Sequence, residues 1–234
     1  MTDTPHAKPQ QAHSSAGKRS PQARPPQARP VNPVLERLFG LYPNLFGAQF
    51  LPLKLGVFQE LLALHPDAFQ RDELKLAMGQ HARSTRYLES VAAGHPRHDL
   101  NGKPVEPVAP EHLHHAILEI FRRRQARSRD DLRPQLRLRL MQAVEASGLS
   151  REDYAERVRV QDEASNALLA DALAELGLQA ARREALVRAF QASGRTAAEF
   201  AEMYGMDPAE VNAVLERTRA EQRTGQNAPS SVTP

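Results

Sequence analysis

Arg97-His98-Asp99-Leu100-Asn101-Gly102-Lys103-Pro104 decides the fold, because a helical period that runs on both sides of it stops there. Asn-Gly is the strongest short hairpin signal, since both residues tolerate the positive φ of a tight turn between twisted strands. A two-stranded hairpin is therefore expected over about 97–105. Upstream, helices are expected over about 83–92, closed by Gly94, and over about 71–81 with Leu74, Ala77 and Met78 inward. Before these, a helix is read from about Pro52 to Leu64. Its apolar face is Val57, Phe58, Leu61, Leu62 and Leu64, and Pro66 stops it. A short amphipathic helix opens near Val34, capped by Asn32 with Pro33 in first position, and ends at Tyr42-Pro43. Downstream, Pro110-Glu111 opens a long helix through His115, Ile117, Leu118, Ile120 and Phe121 into an arginine run. The fold class is mainly α: a helical domain over 32–127 with one small β-hairpin.

A second pattern lies beyond it. Residues 135–170 and 181–216 align without gaps at an offset of 46, with eleven of 36 positions identical. The matches include Ala146-Ser147-Gly148 with Ala192-Ser193-Gly194, and Ala155-Glu156 with Ala201-Glu202. A fixed period marks a repeated unit, read here as helix, Ser-Gly turn, short helix capped by Ser150 or Thr196, turn and helix. In the second copy Phe200, Ala201, Tyr204, Gly205, Val211 and Val214 have helix-turn-helix spacing, so the region is read as two tandem helix-turn-helix-like repeats. Each copy has few large apolar residues. The copies are therefore expected to pack on each other through Leu140, Leu168, Leu173, Leu186 and Val214, with Tyr154, Phe200, Leu169 and Leu215 buried. The division that follows is a Pro/Gln/Ala-rich basic arm (1–31), the helical domain (32–127), an Arg-rich junction (128–134), the repeats (135–170 and 181–216 within 135–220) and a tail (221–234). The arm and the tail are expected to be disordered.

Three segments carry a resemblance: Pro52-Leu53-Lys54-Leu55-Gly56-Val57-Phe58-Gln59, Ser84-Thr85-Arg86-Tyr87-Leu88, and the Arg97–Pro104 hairpin. In that order and at those distances they resemble the ProQ/FinO family of bacterial RNA-binding proteins and RNA chaperones. The resemblance implies a domain that binds structured RNA at the base of a terminator-like stem and its single-stranded 3′ end. Carried over position by position, it implies RNA contacts at Lys54, Arg71, Lys75, Tyr87 and Arg97, with Arg86 and Leu88 matching the motif beside them. The chain departs from the pattern at Leu51, Gly79, His81 and Thr85. Arginine, a basic residue, tyrosine and tryptophan respectively stand there in many or some relatives, and Arg83 is a nearby cation that can compensate.

Charge supports an anionic polymer as partner. The net charge is only +3, but Lys8, Lys18, Arg19, Arg24 and Arg29 stand against Asp3 alone in the first 30 residues. The densest run, Arg122, Arg123, Arg124, Arg127, Arg129, Arg133, Arg137 and Arg139, is opposed locally only by Asp130 and Asp131. Arg122, Arg123 and Arg124 are therefore counted as RNA contacts. Cysteine is absent, which excludes disulfides, thiolate metal sites and cysteine nucleophiles. His112 and His115 have ligand spacing, with Glu111 or Glu119 near, but the resemblance implies a packing histidine in this helix and no cysteine exists, so neither metal nor cofactor is assigned. No phosphate loop, nucleophile elbow or paired-carboxylate setting is visible, so no enzyme is expected. No window reaches the ~18 apolar residues of a membrane span, and a cytoplasmic protein is expected. The alternative function is a DNA-binding regulator reading through the C-terminal repeats. The would-be recognition helix carries Asp207, Glu210 and Glu216, the wrong sign for phosphates. A protein-interaction role suits the repeats better.

Overall fold

The computed structural model describes residues 32–47 and 49–226; the basic arm at 1–31 and residues 227–234 of the expected tail lie outside the described residues. Helix α1 (Pro33–Leu41) opens where the Asn32 side chain accepts from the Val34 N–H at 2.9 Å, and it buries Val34 and Leu38. A wide turn at Pro43–Gly47 buries Leu45 and Phe46. Then come α2 (Val57–Leu64), α3 (Arg71–Ala82) and α4 (Thr85–Ala92), the last capped by the Ser84 hydroxyl. Strands β1 (Arg97–His98) and β2 (Pro104–Glu106) form one antiparallel hairpin, and α5 (Pro110–Gln125) follows.

Residues 52–55 are not the first turn of a helix, contrary to the reading from periodicity. Leu53 bridges His98 in parallel; the Lys54 N–H donates to the His98 carbonyl at 2.9 Å and the His98 N–H to the Pro52 carbonyl at 2.7 Å. Proline supplies no N–H to a strand or to a helix, so it does not discriminate. Gly56, at φ +87°, does: that conformation breaks the chain out of the extended segment and into α2. Leu64, expected inward, is exposed. In the hairpin, Arg97 pairs Glu106 and His98 pairs Pro104, with a bulge between the two pairs. Asp99 Oδ1 accepts from the N–H groups of Asn101 and Lys103, each at 2.9 Å, and Gly102 takes φ +75°.

The C-terminal region is α6 (Arg133–Ser147), α7 (Arg151–Arg157), α8 (Glu163–Ser193), α9 (Ala197–Tyr204) and α10 (Pro208–Gln226). Helix α10 continues six residues past the expected boundary at 220. Elements recur at the offset of 46. Gly148 and Gly194 end α6 and α8 in the left-handed conformation, while Ser150 and Thr196 cap α7 and α9. Even the Ser147 hydroxyl bond to the Val144 carbonyl has its counterpart in Ser193 and Phe190. Tyr154, Phe200, Leu169 and Leu215 are all buried.

The two units do not pack on each other as expected. Leu140, Leu168 and Leu173 belong to a core completed by Ile117 and Leu118 of α5, whereas Leu186 and Val214 belong to a separate core around Val187, Phe200 and Val211. The 31 residues of α8 make a rod of roughly 46 Å, so one helix serves each unit at a different end. An ion pair of 2.7 Å between Arg217 and Glu145 links α10 back to α6. Helix α5 is thus shared: Ala116 and Ile120 pack on Leu88 and Val91 of α4, while Ile117 and Leu118 face α6–α8. The remaining core holds Leu38, Phe46, Leu61 and Leu74. Among the described residues, α5 carries packing across position 127.

Candidate nucleic-acid interface

Three distant segments meet at one residue. The Leu53 N–H donates to the Tyr87 hydroxyl at 3.1 Å across 34 residues, and the Leu53 carbonyl accepts from Arg97 Nη1 at 2.8 Å across 44. The extended Pro52–Leu55 segment is therefore clamped on both polar groups of Leu53, which is itself 6% exposed. Arg97 is held in turn: its Nη2 lies 2.9 Å from His112 Nδ1 and its Nε 3.9 Å from Glu106 Oε1. Each of the three segments carries a cation (Lys54, Arg86 and Arg97), so the clamp fixes their mutual positions.

An aromatic box supports the clamp. The buried His81 ring packs against Phe46, Phe50 and Tyr87, with centroids 4.7, 4.6 and 5.0 Å away. Burial pushes the His81 imidazole down to about 4, which keeps it neutral near pH 7. The Arg86 guanidinium lies 4.4 Å from the Phe50 ring centre, a cation–π contact that holds an exposed cation in place. Burial raises the Tyr87 phenol, opposed by its hydrogen bond from Leu53 and by the charge of Arg97.

The sequence-derived residues fall into three groups. Arg71 and Lys75 are exposed, four residues apart on α3, and have no partner among the described residues. Lys54 is partly exposed and pairs with Glu60 at 2.5 Å, the hydrogen bond that most raises its ammonium pKa. Tyr87 and Arg97 are half-buried and turn their polar atoms to Leu53.

Arg122, Arg123 and Arg124 do not form a free basic face. Consecutive residues on a helix point about 100° apart, and these three reach three different neighbours. Arg122 pairs with Asp162 at 2.9 Å and bonds Ser165 Oγ. Arg123 pairs with Glu119 and donates to the Arg83 carbonyl and Thr85 Oγ1, and Arg124 pairs with Glu89 at 2.9 Å. Counting only local acids missed these partners, because Asp162 and Glu89 lie 40 and 35 residues away. Thr85, one of the departures, thereby anchors Arg123. At another, Gly79, a Cβ would lie 3.4 Å from Arg83 Nη2, so the missing side chain leaves room for that guanidinium against α3.

Sequence reasoning overlooked Phe50 and Glu106, and weighed His112 only as a metal ligand, not as a partner of Arg97. Glu106 was legible as the cross-strand partner of Arg97 once the register was known; nothing local tied His112 to Arg97, 15 residues before it. Among the described residues, no group of three or more His, Asp or Glu is placed to hold a metal ion, and no helix is long and apolar enough to cross a membrane.

The family model described as the ProQ/FINO family matches residues 28–133, ending where α6 begins. The RNA chaperone ProQ of Shewanella oneidensis is 37% identical over 90 residues, which covers 37% of this chain and 42% of that protein. The RNA chaperone ProQ of Aeromonas salmonicida is 43% identical over 67 residues, 28% of this chain and 32% of that protein. The chain thus spans less than half the length of these curated relatives. Among solved structures, a FinO-like RNA chaperone from Neisseria meningitidis is 30% identical, covering 37% of this chain and 88% of that one with a TM-score of 0.34.

Proposed function

Because residues 28–133 belong to the ProQ/FINO family, we propose that this chain is a non-catalytic RNA-binding protein of the bacterial cytoplasm that acts as an RNA chaperone on small RNAs and messenger 3′ ends. The observation that carries the reading is the clamp at Leu53, which joins three segments bearing Lys54, Arg86 and Arg97 into one surface element. Arg71 and Lys75 supply phosphate contacts that cost no internal ion pair, and Lys54 exchanges Glu60 for a phosphate. An A-form stem is met through its backbone and 2′-hydroxyls, because its major groove is too narrow for side chains. Neutralising phosphates lowers the repulsion between two strands, so annealing is promoted without nucleotide hydrolysis. Tyr87 and Arg97 act first as positioning residues for the Lys54 segment.

A DNA-reading role gains no support from α10, which carries Glu210 in its first turn with Asp207 just before it, the wrong sign for a phosphate backbone. The test is a filter-binding titration of the full chain with a stem-loop carrying a 3′ uridine tail, across a salt series. Arg71→Ala and Lys75→Ala should each flatten the slope of log K against log salt by about 0.7–0.9. Equal affinity for stem-loop and duplex DNA, or slopes unchanged in both variants, rejects the reading.

A further inference from the structure

The second unit lacks the helix that completes the first. On the first unit α5 lies across α6 and α7: Ile117 and Phe121 line one cleft with Leu132, Leu136 and Arg139, and the His114 ring meets Tyr154 at 5.9 Å. Ion pairs close both ends of the seat, Glu111 with Arg157 at 2.6 Å and Arg122 with Asp162. Under this cover Leu136, Leu140, Val144 and Val158 are all buried.

Forty-six residues on, the counterparts are uncovered. Leu178 stands for Leu132, Met203 for Arg157 and Tyr204 for Val158, and they are 54%, 49% and 58% exposed. Among the described residues after 150 they are all the large apolar side chains so exposed. Between them, Arg182 and Ala185 are exposed, and Leu186 and Phe190 are only half-buried. Of the positions that α5 covers on the first unit, those of Leu136, Arg139 and Val158 are open on the second, whereas Phe200 and Val211, in the places of Tyr154 and Ser165, are buried in its own core.

We propose that the face formed by Leu178, Met203 and Tyr204 seats an amphipathic helix of another protein, in the place α5 takes on the first unit. Among the described residues none of α1–α5 is spare for this seat. Residues 1–31 and 227–234 have no apolar helical period in their sequence, and α1–α5 already bury their apolar stripes in other cores. The changes at the seat specify the occupant. Arg157 and Asp162, which pair with α5, are replaced by Met203 and Pro208, so the partner is apolar where α5 has Glu111 and needs no arginine at its far end. Leu136 is replaced by Arg182, which has no partner among the described residues, so the partner carries a carboxylate at mid-helix. Its apolar anchors recur at i, i+4 and i+8, as Leu113, Ile117 and Phe121 do on α5.

The experiment places a photo-crosslinking amino acid at position 178, at 203, or at the exposed control position Leu138, in the full chain in cells. Adducts at 178 and 203 but not 138 are expected to map to one segment of another protein with that apolar stripe and a central acid. A synthetic peptide of the segment should then bind the purified chain, with affinity lowered at least tenfold by Met203→Ser with Tyr204→Ser and by Arg182→Glu. These side chains are exposed, so the variants keep the fold, which circular dichroism checks. Adducts confined to a second copy of this chain or to RNA overturn the proposal. So do adducts no stronger than at 138, or a captured segment without the stripe.

Discussion

Tyr87→Phe separates holding the chain from touching RNA. The substitution removes one oxygen and keeps the ring, so packing against His81 and any base stacking are preserved. What is lost is the acceptor for the Leu53 N–H, on a residue that is 6% exposed. A buried donor left without a partner costs about 1–2 kcal/mol. The cost falls on the local closure of the Pro52–Leu55 segment, whose other ties are the Arg97 bond to Leu53 and the two backbone bonds to His98. Native-state amide hydrogen exchange followed by NMR reads this directly: the Leu53, Lys54 and His98 amides should exchange about 5–30 times faster. Amides in the middle of α8 should not change. RNA affinity should fall with the loosened Lys54 although the aromatic face remains. Unchanged exchange at Leu53 refutes the clamp; faster exchange with unchanged RNA affinity refutes its role in positioning the cations.

The His81 and His114 imidazoles, both buried and pushed down to about 4, titrate near 6.5 when unfolded. The unfolded state therefore binds more protons between these values. The stability held above pH 6.5 is lost as the pH falls toward 4, by about 2 kcal/mol for each histidine between pH 7 and 5. Urea titrations at the two pH values check the loss, and His81→Leu should remove about half of it. Leu140→Ala should cost roughly 2–5 kcal/mol and speed exchange in α5 as well as α6, since Leu140 shares a core with Ile117 and Leu118. Exchange changes confined to α6–α8 would restore a domain boundary at 127. Arg123→Ala, in contrast with Arg71→Ala, should lower the urea midpoint and leave the salt slope of RNA binding unchanged, because its guanidinium is committed to Glu119, Arg83 and Thr85.

Local signals in the sequence determined most of the elements. Asn32-Pro33, Ser150 and Thr196 announce helix starts because a side-chain oxygen or a fixed φ acts within one turn of the chain. Gly94, Gly102, Gly148 and Gly194 mark the turns because each sits at positive φ. The 46-residue recurrence was legible for the same reason: caps and turn glycines are local. The tertiary structure alone decided everything that depends on a distant partner. Pro52–Leu55 has an apolar pattern that suits helix or strand, and the unpaired edge of β1 at His98 drew it out as an extended segment bridged at Leu53. Arg122, Arg123 and Arg124 form a basic run in one dimension, but the turn of the helix sends them to Asp162, Glu119 and Glu89. Tyr87 and Arg97 look like free recognition groups until Leu53, 34 and 44 residues before them, takes up their polar atoms. The pairing of unit with cover was equally hidden. Composition cannot say that Ile117 and Leu118 of α5 close the first unit, nor that the same seat on the second, at Leu178, Met203 and Tyr204, is left open.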